Sequence, residues 1–503
     1  MRRFWACATL LSAFLVSTAV IAQDITLSAV NGGVTISGLL QGFDGEFYRV
    51  ETSYGMLVVD GQGVICDGPA CPDLVAPKSI VRFVGAPDAG STLLPPLAAA
   101  FAGFLGLRYR HVTQPYYVAV FSDPKTTKDL IEFHFMPMTP ADTHDALIAG
   151  RAELGISASV QPDLGHRALA LDALLPIMAA DNPTPRLSTT DLERVLTGAA
   201  QNWQEIGGPD MPIVMHSLAA NTDLQQVLNA HFGVLLPTSV VHSDMKSLAA
   251  AVSRDPWAFA VTGRSMQGAA AAIPLTDSCG FPMLDSALAV KAEDYPLSMP
   301  LYVLIPRRRL PLFARQFLEF LATPDAQETI RTTGFIDRSP QRQAMTSDGL
   351  RLINAIQGAG DEVTLPDLKR LVDGMTGADR LSLTFRFEDG SSQLDGQSRQ
   401  NLIDLAQLLE IGAFAREDLV LAGFSDGSGA AKDNLDLSRA RAQSVADALL
   451  LVAPDVPARL MPKVMAYGET LPIACDISAD GRHLNRRVEL WITPKLATNT
   501  PAP

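Results

Sequence analysis

The sequence predicts a multidomain α/β protein with a small N-terminal β module, a two-lobed α/β domain and a final α/β unit. Three observations predict it: short alternating runs between turn pairs over residues 24–75, strand patterns alternating with helical ones from Val81 to about residue 335, and the same alternation resuming at Leu381. A chain of 503 residues is about three times an average domain of ~150, so each unit can bury its own core. Apolar residues make up 47% and charged residues 19%, which excludes a disordered or collagen-like chain. Lys and Arg number 40 against 54 Asp and Glu, a net charge of −14 that excludes a sequence-independent grip on nucleic acid, which needs clustered cations.

Residues 1–22 read as an export signal. Arg2 and Arg3 precede an apolar run from Phe4 to Ile21, and Val20-Ile21-Ala22 presents residues a signal peptidase accepts, so cleavage is expected after Ala22. The alternative is an uncleaved anchor, but the run is at the short end of the ~17–25 residues that span a bilayer, and polar Gln23 and Asp24 follow. Cys7 lies inside the run and no Leu-x-Gly-Cys arrangement surrounds the cut, so no lipid anchor is expected. No later stretch is long and apolar enough to cross a membrane, which predicts a periplasmic chain held to the envelope non-covalently.

Residues 23–76 form the predicted β module. Ile25-Thr26-Leu27, Val34-Thr35-Ile36, Phe47 to Val50 and Leu57-Val58-Val59 alternate with Asn31-Gly32-Gly33, Asp44-Gly45 and Asp60-Gly61. So small a unit buries little core, which makes a covalent clip useful. Cys66 and Cys71 bracket a turn-forming Asp-Gly-Pro-Ala run, and export into an oxidising compartment favours a disulfide there. Tetrahedral zinc would need two further ligands nearby. Cys279 and Cys475 fall in different units and are either free buried thiols or an inter-domain bridge.

Residues 79–335 carry the two-lobed domain. Val81 to Gly85 reads as a buried strand, Asp88 to Thr92 as a turn, and Leu93 to Phe104 as a helix; a strand, a small-residue turn and a helix N-terminus make an anion-friendly geometry. Residues 336–379 read as a connector with one amphipathic helix near Leu350 to Ile356. The final unit spans 380–494, and residues 495–503 read as a disordered tail rich in Thr, Pro and Ala.

In the final unit, Gly423-Phe424-Ser425-Asp426 follows the apolar strand Leu419 to Leu421. Asn434, Leu437-Ser438 and Arg441-Ala442 come next, then Gly468-Glu469 and Gly481-Arg482-x-x-Asn485-Arg486-Arg487-Val488-Glu489. This order resembles the OmpA-like peptidoglycan-binding domain over about 110 residues. The resemblance implies that Asp426 and Arg441 grip the diaminopimelate of the stem peptide, with Asn434 in the loop between them and Arg486 as supporting contacts. The chemistry suits the residues: diaminopimelate carries an ammonium and a carboxylate on one carbon, which one fixed acceptor and one forked donor read together. The loop Asp426-Gly427-Ser428-Gly429 lacks the acidic residue that an EF-hand needs further on, so calcium is not expected.

Four stretches of the middle domain are similar to periplasmic solute-binding proteins of the phosphate-binding type. They are Gly90-Ser91-Thr92, Ala152 to Ser157, Asn202-Trp203-x-x-Ile206-Gly207-Gly208-Pro209 and Tyr295-Pro296-Leu297-Ser298. The resemblance implies two lobes that close on a small anionic solute. It also departs from the family. Where Arg followed by Ser-Gly-Thr is typical, this chain reads His216 to Thr222 and keeps only the Thr, and Ala158 stands where an acceptor Asp follows Gly-x-Ser. The remaining candidates for an oxyanion are Ser91, Thr92, Ser157, Asn221, Thr222 and a protonated His216, a weaker and pH-dependent set.

No catalytic constellation is present: there is no His-Glu-x-x-His, Gly-x-Ser-x-Gly, Walker or dinucleotide motif, and the eight histidines lack metal-ligand spacing. No catalytic residue, cofactor or metal is expected. Two functions fit. One is a solute-binding component tethered to peptidoglycan that serves an inner-membrane ABC transporter or sensor. The other is a peptidoglycan-anchored envelope scaffold whose lobes contact another protein.

Overall fold

The computed structural model describes residues 25–494, apart from 44–45, 69, 72–77, 114–115, 234, 236–239, 348, 358–359, 361, 389–390 and 392. The predicted signal (1–22) and tail (495–503) lie outside the described residues.

The N-terminal module is a five-stranded antiparallel sheet in the order Gly55–Asp60, Phe47–Thr52, Thr35–Phe43, Ile25–Ala29, Val64–Asp67. Its buried core is Ile25, Leu27, Tyr48 and Val50. Such a small core needs outside support. The Cys66–Cys71 disulfide is formed, Arg315 reaches Asp60 at 2.8 Å, and the Arg309 guanidinium lies 5.4 Å from the Phe47 ring centre.

One continuous sheet runs through both lobes of the middle domain. In the first lobe, Ser79–Gly85 lies parallel to Asp129–Pro137 and Leu154–Ser157; this fully flanked strand reads as a near-continuous apolar run for that reason. In the second, Val214–Leu218 lies parallel to Val240–His242 and Ala258–Gly263. The long strands Gly165–Met178 and Ser298–Ile305 pair antiparallel and cross between the lobes.

The turn expected at Asp88 to Thr92 does not exist. Pro87 starts a helix that runs to Phe104, six residues earlier than expected, because Pro suits the first helical position and Asp88 complements the positive helix end. Gly90 belongs to packing: a Cβ there would lie 2.0 Å from the Phe135 ring.

Asp172, on a crossing strand, is fully buried and accepts from the Ser265 hydroxyl at 2.6 Å, the Ser265 N–H at 3.1 Å and the Ala173 N–H at 3.0 Å. Burial outweighs these bonds and pushes its carboxyl up to about 6. A carboxyl raised in the folded state favours folding fully below its unfolded value of about 3.9, and this contribution is lost as pH rises through about 6. Asp172→Asn is therefore expected to gain stability relative to the native chain between pH 4.5 and pH 7, by about 2 kcal/mol, in denaturant titrations at the two pH values.

In the C-terminal unit the strand order is Arg342–Ala344, Asp379–Phe385, Val488–Pro494, Glu417–Gly423, Lys463–Ala466. Helices Gly396–Glu410 and Ala431–Val452 cover one face. The expected connector is folded onto the other face, where the edge strand Arg342–Ala344 and helices Gly349–Gln357 and Leu365–Met375 bring Met345, Ala355, Leu371 and Met375 against Phe424, Tyr467 and Trp491.

The final unit is docked firmly on the second lobe. Cys279 and Cys475 form a disulfide, which resolves the two readings in favour of a bridge, and the Cys475 N–H donates to Asp277 at 2.6 Å. Beside it, Arg380 pairs with Asp294 at 2.6 Å, Arg386 with Asp294 at 3.2 Å, and Arg386 donates to the Ala292 carbonyl at 2.8 Å. Arg380 also approaches Glu489 at 3.4 Å, which Arg487 holds at 2.7 Å and Arg351 contacts as well. Burial opposes charge on Asp294, but Arg380, Arg351 and Arg386 together hold its carboxyl below the usual range.

Candidate functional site

The chemistry-bearing cluster of the C-terminal unit sits at the carboxyl end of the strand Glu417–Gly423. Beyond Gly423 the chain stays extended and tied on both sides: Phe424 N–H donates to the Arg487 carbonyl at 2.8 Å and Ser425 N–H to the Gly468 carbonyl at 2.9 Å. These bonds carry Asp426 to the rim, where one carboxylate oxygen accepts from the Ser428 N–H at 3.0 Å and the other from Arg486 at 3.2 Å.

Arg441 lies in the middle of the helix Ala431–Val452. One terminal nitrogen of its guanidinium is buried and has no hydrogen-bond partner. Burial, then the like charge of Arg486, makes the charged form less favourable, while Asp426 supports it. The guanidinium carbon lies 6.0 Å from the centre of the Phe387 ring. The cluster is thus one carboxylate between two guanidiniums, one of which keeps a dry donor available. A ligand carboxylate would satisfy that donor and an adjacent ammonium would meet Asp426.

Asn434 is in the first turn of the same helix, not in the loop before it, and donates to Glu469. Burial raises the Glu469 carboxyl, and Glu362, Asp476 and Asp426 add to the effect. Glu469, Asp476 and Phe387 were not assigned from sequence. Only Gly468-Glu469 carried a signal, as part of the ordered motif. Asp476 accepts from the Gly427 N–H at 2.7 Å and from Asn485 at 2.8 Å. Within the last motif, then, Asn485 pins a loop, Arg486 faces the site, and Arg487 and Glu489 are an internal pair.

Strand and helix meet closely at Gly423, where a Cβ would lie 2.1 Å from the Ser438 carbonyl. Gly423→Ala must push the Arg441 helix outward, and we expect it to cost about 1–3 kcal/mol by overpacking and to weaken ligand retention beyond the change in stability. Chemical denaturation and a binding titration on the same protein check both parts.

The cleft candidates are dispersed. Ser91 and Thr92 lie inside the helix Pro87–Phe104, with Ser91 exposed. His216 sits on the strand Val214–Leu218, 3.0 Å from His242 between ring nitrogens; burial first, then His242, lowers its pKa, which disfavours the protonated form the oxyanion reading requires. Asn221 is exposed, and the Thr222 hydroxyl donates to the Ala219 carbonyl at 2.8 Å. Ser157 is nearly fully buried and donates its hydroxyl to Asp223 at 2.5 Å, and the Ala158 N–H donates to the same oxygen at 2.6 Å. Asp223 opens the helix Asp223–Phe232 of the opposite lobe. Among the described residues no group of three or more His, Cys, Asp or Glu could hold a metal ion, and no helix is long and apolar enough to cross a membrane.

Comparison with known proteins places two of these units. The OmpA family model matches residues 386–486, and a PBP superfamily domain model matches residues 149–325. The C-terminal unit is therefore an OmpA family domain, and the two-lobed unit has the PBP-like fold. "Probable lipoprotein YiaD" of Escherichia coli (strain K12) is 31% identical over 108 residues, which are 22% of this chain and 47% of that protein; the chain spans about half the length of this curated relative. Among solved structures, an ABC-type phosphate transport receptor from Vibrio cholerae is 17% identical with a TM-score of 0.40, covering 51% of this chain and 99% of its own. PstS from Borrelia burgdorferi is 13% identical with a TM-score of 0.35, covering 52% of this chain and 99% of its own.

Proposed function

We propose that this chain is an exported envelope protein that holds peptidoglycan through Asp426, Arg441 and Arg486, with Asn434 positioning Glu469 beside them, and so keeps its two-lobed domain at the cell wall. The observation that carries this reading is the buried, unpartnered guanidinium nitrogen of Arg441 beside the Asp426 carboxylate. A buried donor without an acceptor is costly, and a ligand carboxylate removes that cost. The diaminopimelate of a stem peptide supplies the carboxylate and, on the same carbon, an ammonium for Asp426. The test is co-sedimentation of the full chain with diaminopimelate-type sacculi. Saturable retention is expected, and recovery of all the protein in the supernatant would reject the anchor.

For the middle domain two readings stand: capture of a small anion such as phosphate for an inner-membrane ABC transporter or sensor, and a scaffold in which the lobes contact another protein. The bonds from Ser157 and Ala158 to Asp223 favour the scaffold, because the donors an oxyanion would use already have an acceptor. Thermal melts of the full chain with phosphate, sulfate, molybdate and amino acids separate the readings, since a ligand at 100 times its Kd adds about 2.7 kcal/mol. The scaffold predicts no shift with any of them. In neither reading does the chain act as an enzyme.

A further inference from the structure

We infer that Asp223 determines what the cleft rejects: its carboxylate is a built-in occupant of the oxyanion donor set, and its removal creates an oxyanion site. This inference deepens the scaffold reading and rests on one part of it, that the native cleft takes up no free anion. Two carboxylates cross the cleft in opposite directions. From the second lobe, one Asp223 oxygen takes the Ser157 hydroxyl at 2.5 Å and the Ala158 N–H at 2.6 Å, while the Ser159 N–H donates to the Ser157 hydroxyl oxygen at 3.0 Å. The Ser159 hydroxyl donates to Gln226, one helical turn beyond Asp223, at 3.0 Å. From the first lobe, Asp88 accepts the Met245 N–H at 3.0 Å, at the start of the helix Met245–Val252.

A carboxylate offers the same sign of charge and the same kind of acceptor oxygen as phosphate or sulfate, and here it is covalently part of the chain. Its effective concentration at the donors far exceeds that of a free ion. An incoming oxyanion would also enter next to a buried like charge, which disfavours both. With Asp223 and Asp88 in place, the lobes meet around their own carboxylates, and the cleft is selective against free anions. Without the Asp223 side chain, the Ser157 hydroxyl and the Ala158 N–H of one lobe face the N-terminus of the helix Asp223–Phe232, a donor set suited to a tetrahedral oxyanion.

The test compares melting of the native full chain with Asp223→Ala and Asp223→Asn, each in phosphate or sulfate against sodium chloride of equal ionic strength. The native chain is expected to show no anion-specific shift. Asp223→Ala is expected to gain a rise of about 2–4 °C that grows with phosphate or sulfate concentration. Asp223→Asn, which keeps the shape but removes the charge, should gain less. Phosphate or sulfate binding by the native chain would overturn the inference. So would the absence of any gain in whichever variant melts cooperatively and keeps the native circular dichroism. Stabilisation of the native chain by an amino acid alone would sink the scaffold reading while leaving the role of Asp223 intact, and retention on sacculi reports on the anchor independently of both.

Discussion

Arg441→Ala is expected to weaken retention on diaminopimelate-type peptidoglycan by about 30-fold to several thousand-fold, the range that corresponds to ~2–5 kcal/mol for a desolvated charge contact. The loss comes from the ligand side as much as from the protein: without the guanidinium, a ligand carboxylate is left in a half-buried pocket facing Asp426. Asp426→Ala should lose a comparable amount by the reverse argument, since two guanidiniums then meet the ligand ammonium. Arg441→Lys keeps the charge but not the fork, and an intermediate loss is expected. Arg439, on the same helix but exposed, is the control, and Arg439→Ala should be retained like the native chain. Equal retention of all four variants would place the wall contact elsewhere.

The second large effect concerns the joint between the wall-binding unit and the lobes. Arg380 is 1% exposed and faces two carboxylates, Asp294 at 2.6 Å and Glu489 at 3.4 Å. Arg380→Met leaves Asp294 short of its nearest cation, and breaking a buried pair in this way costs about 3–5 kcal/mol. Replacing both partners, Arg380→Met with Asp294→Leu, should recover much of that loss, because apolar groups of similar volume need no charge partner. Denaturant titration of the native chain, both single variants and the double variant gives the coupling directly. Additive losses would mean that the pair does not hold the joint. Because the Cys279–Cys475 bridge spans the same joint, the cycle is best run under oxidising and reducing conditions in parallel.

The parts of the molecule that were legible in the sequence are those whose signal is local. The alternation of apolar runs marked the three units, and the structure brings together Asp426, Arg441 and Arg486, which the ordered motifs resembling the OmpA-like domain singled out. Contacts made across the fold were not legible. Asp223 is 66 residues from Ser157, and nothing near it in sequence shows that its carboxylate meets the serine of the other lobe. Ser339-Pro340 and the polar runs of residues 336–379 look like a connector in sequence, although Leu365, Leu368, Leu371, Val372 and Met375 fall at helical spacing in the helix Leu365–Met375. Gly90-Ser91-Thr92 resembled an anion loop because a glycine required by the Phe135 ring looks, in sequence, like one required by a phosphate. The resemblance put Asn434 in the loop, but it stands in the first helical turn, where it donates to Glu469.

The most direct measurement is a calorimetric titration of the full chain with two soluble stem peptides that differ only at the third residue, diaminopimelate in one and lysine in the other. The lysine peptide lacks the carboxylate that Arg441 would take up, while its ammonium remains. A guanidinium and a carboxylate acting together predict binding of the first and loss of at least tenfold affinity for the second. Equal affinity for the two peptides, or no heat with either, would contradict the assignment of this cluster as the hold on the cell wall.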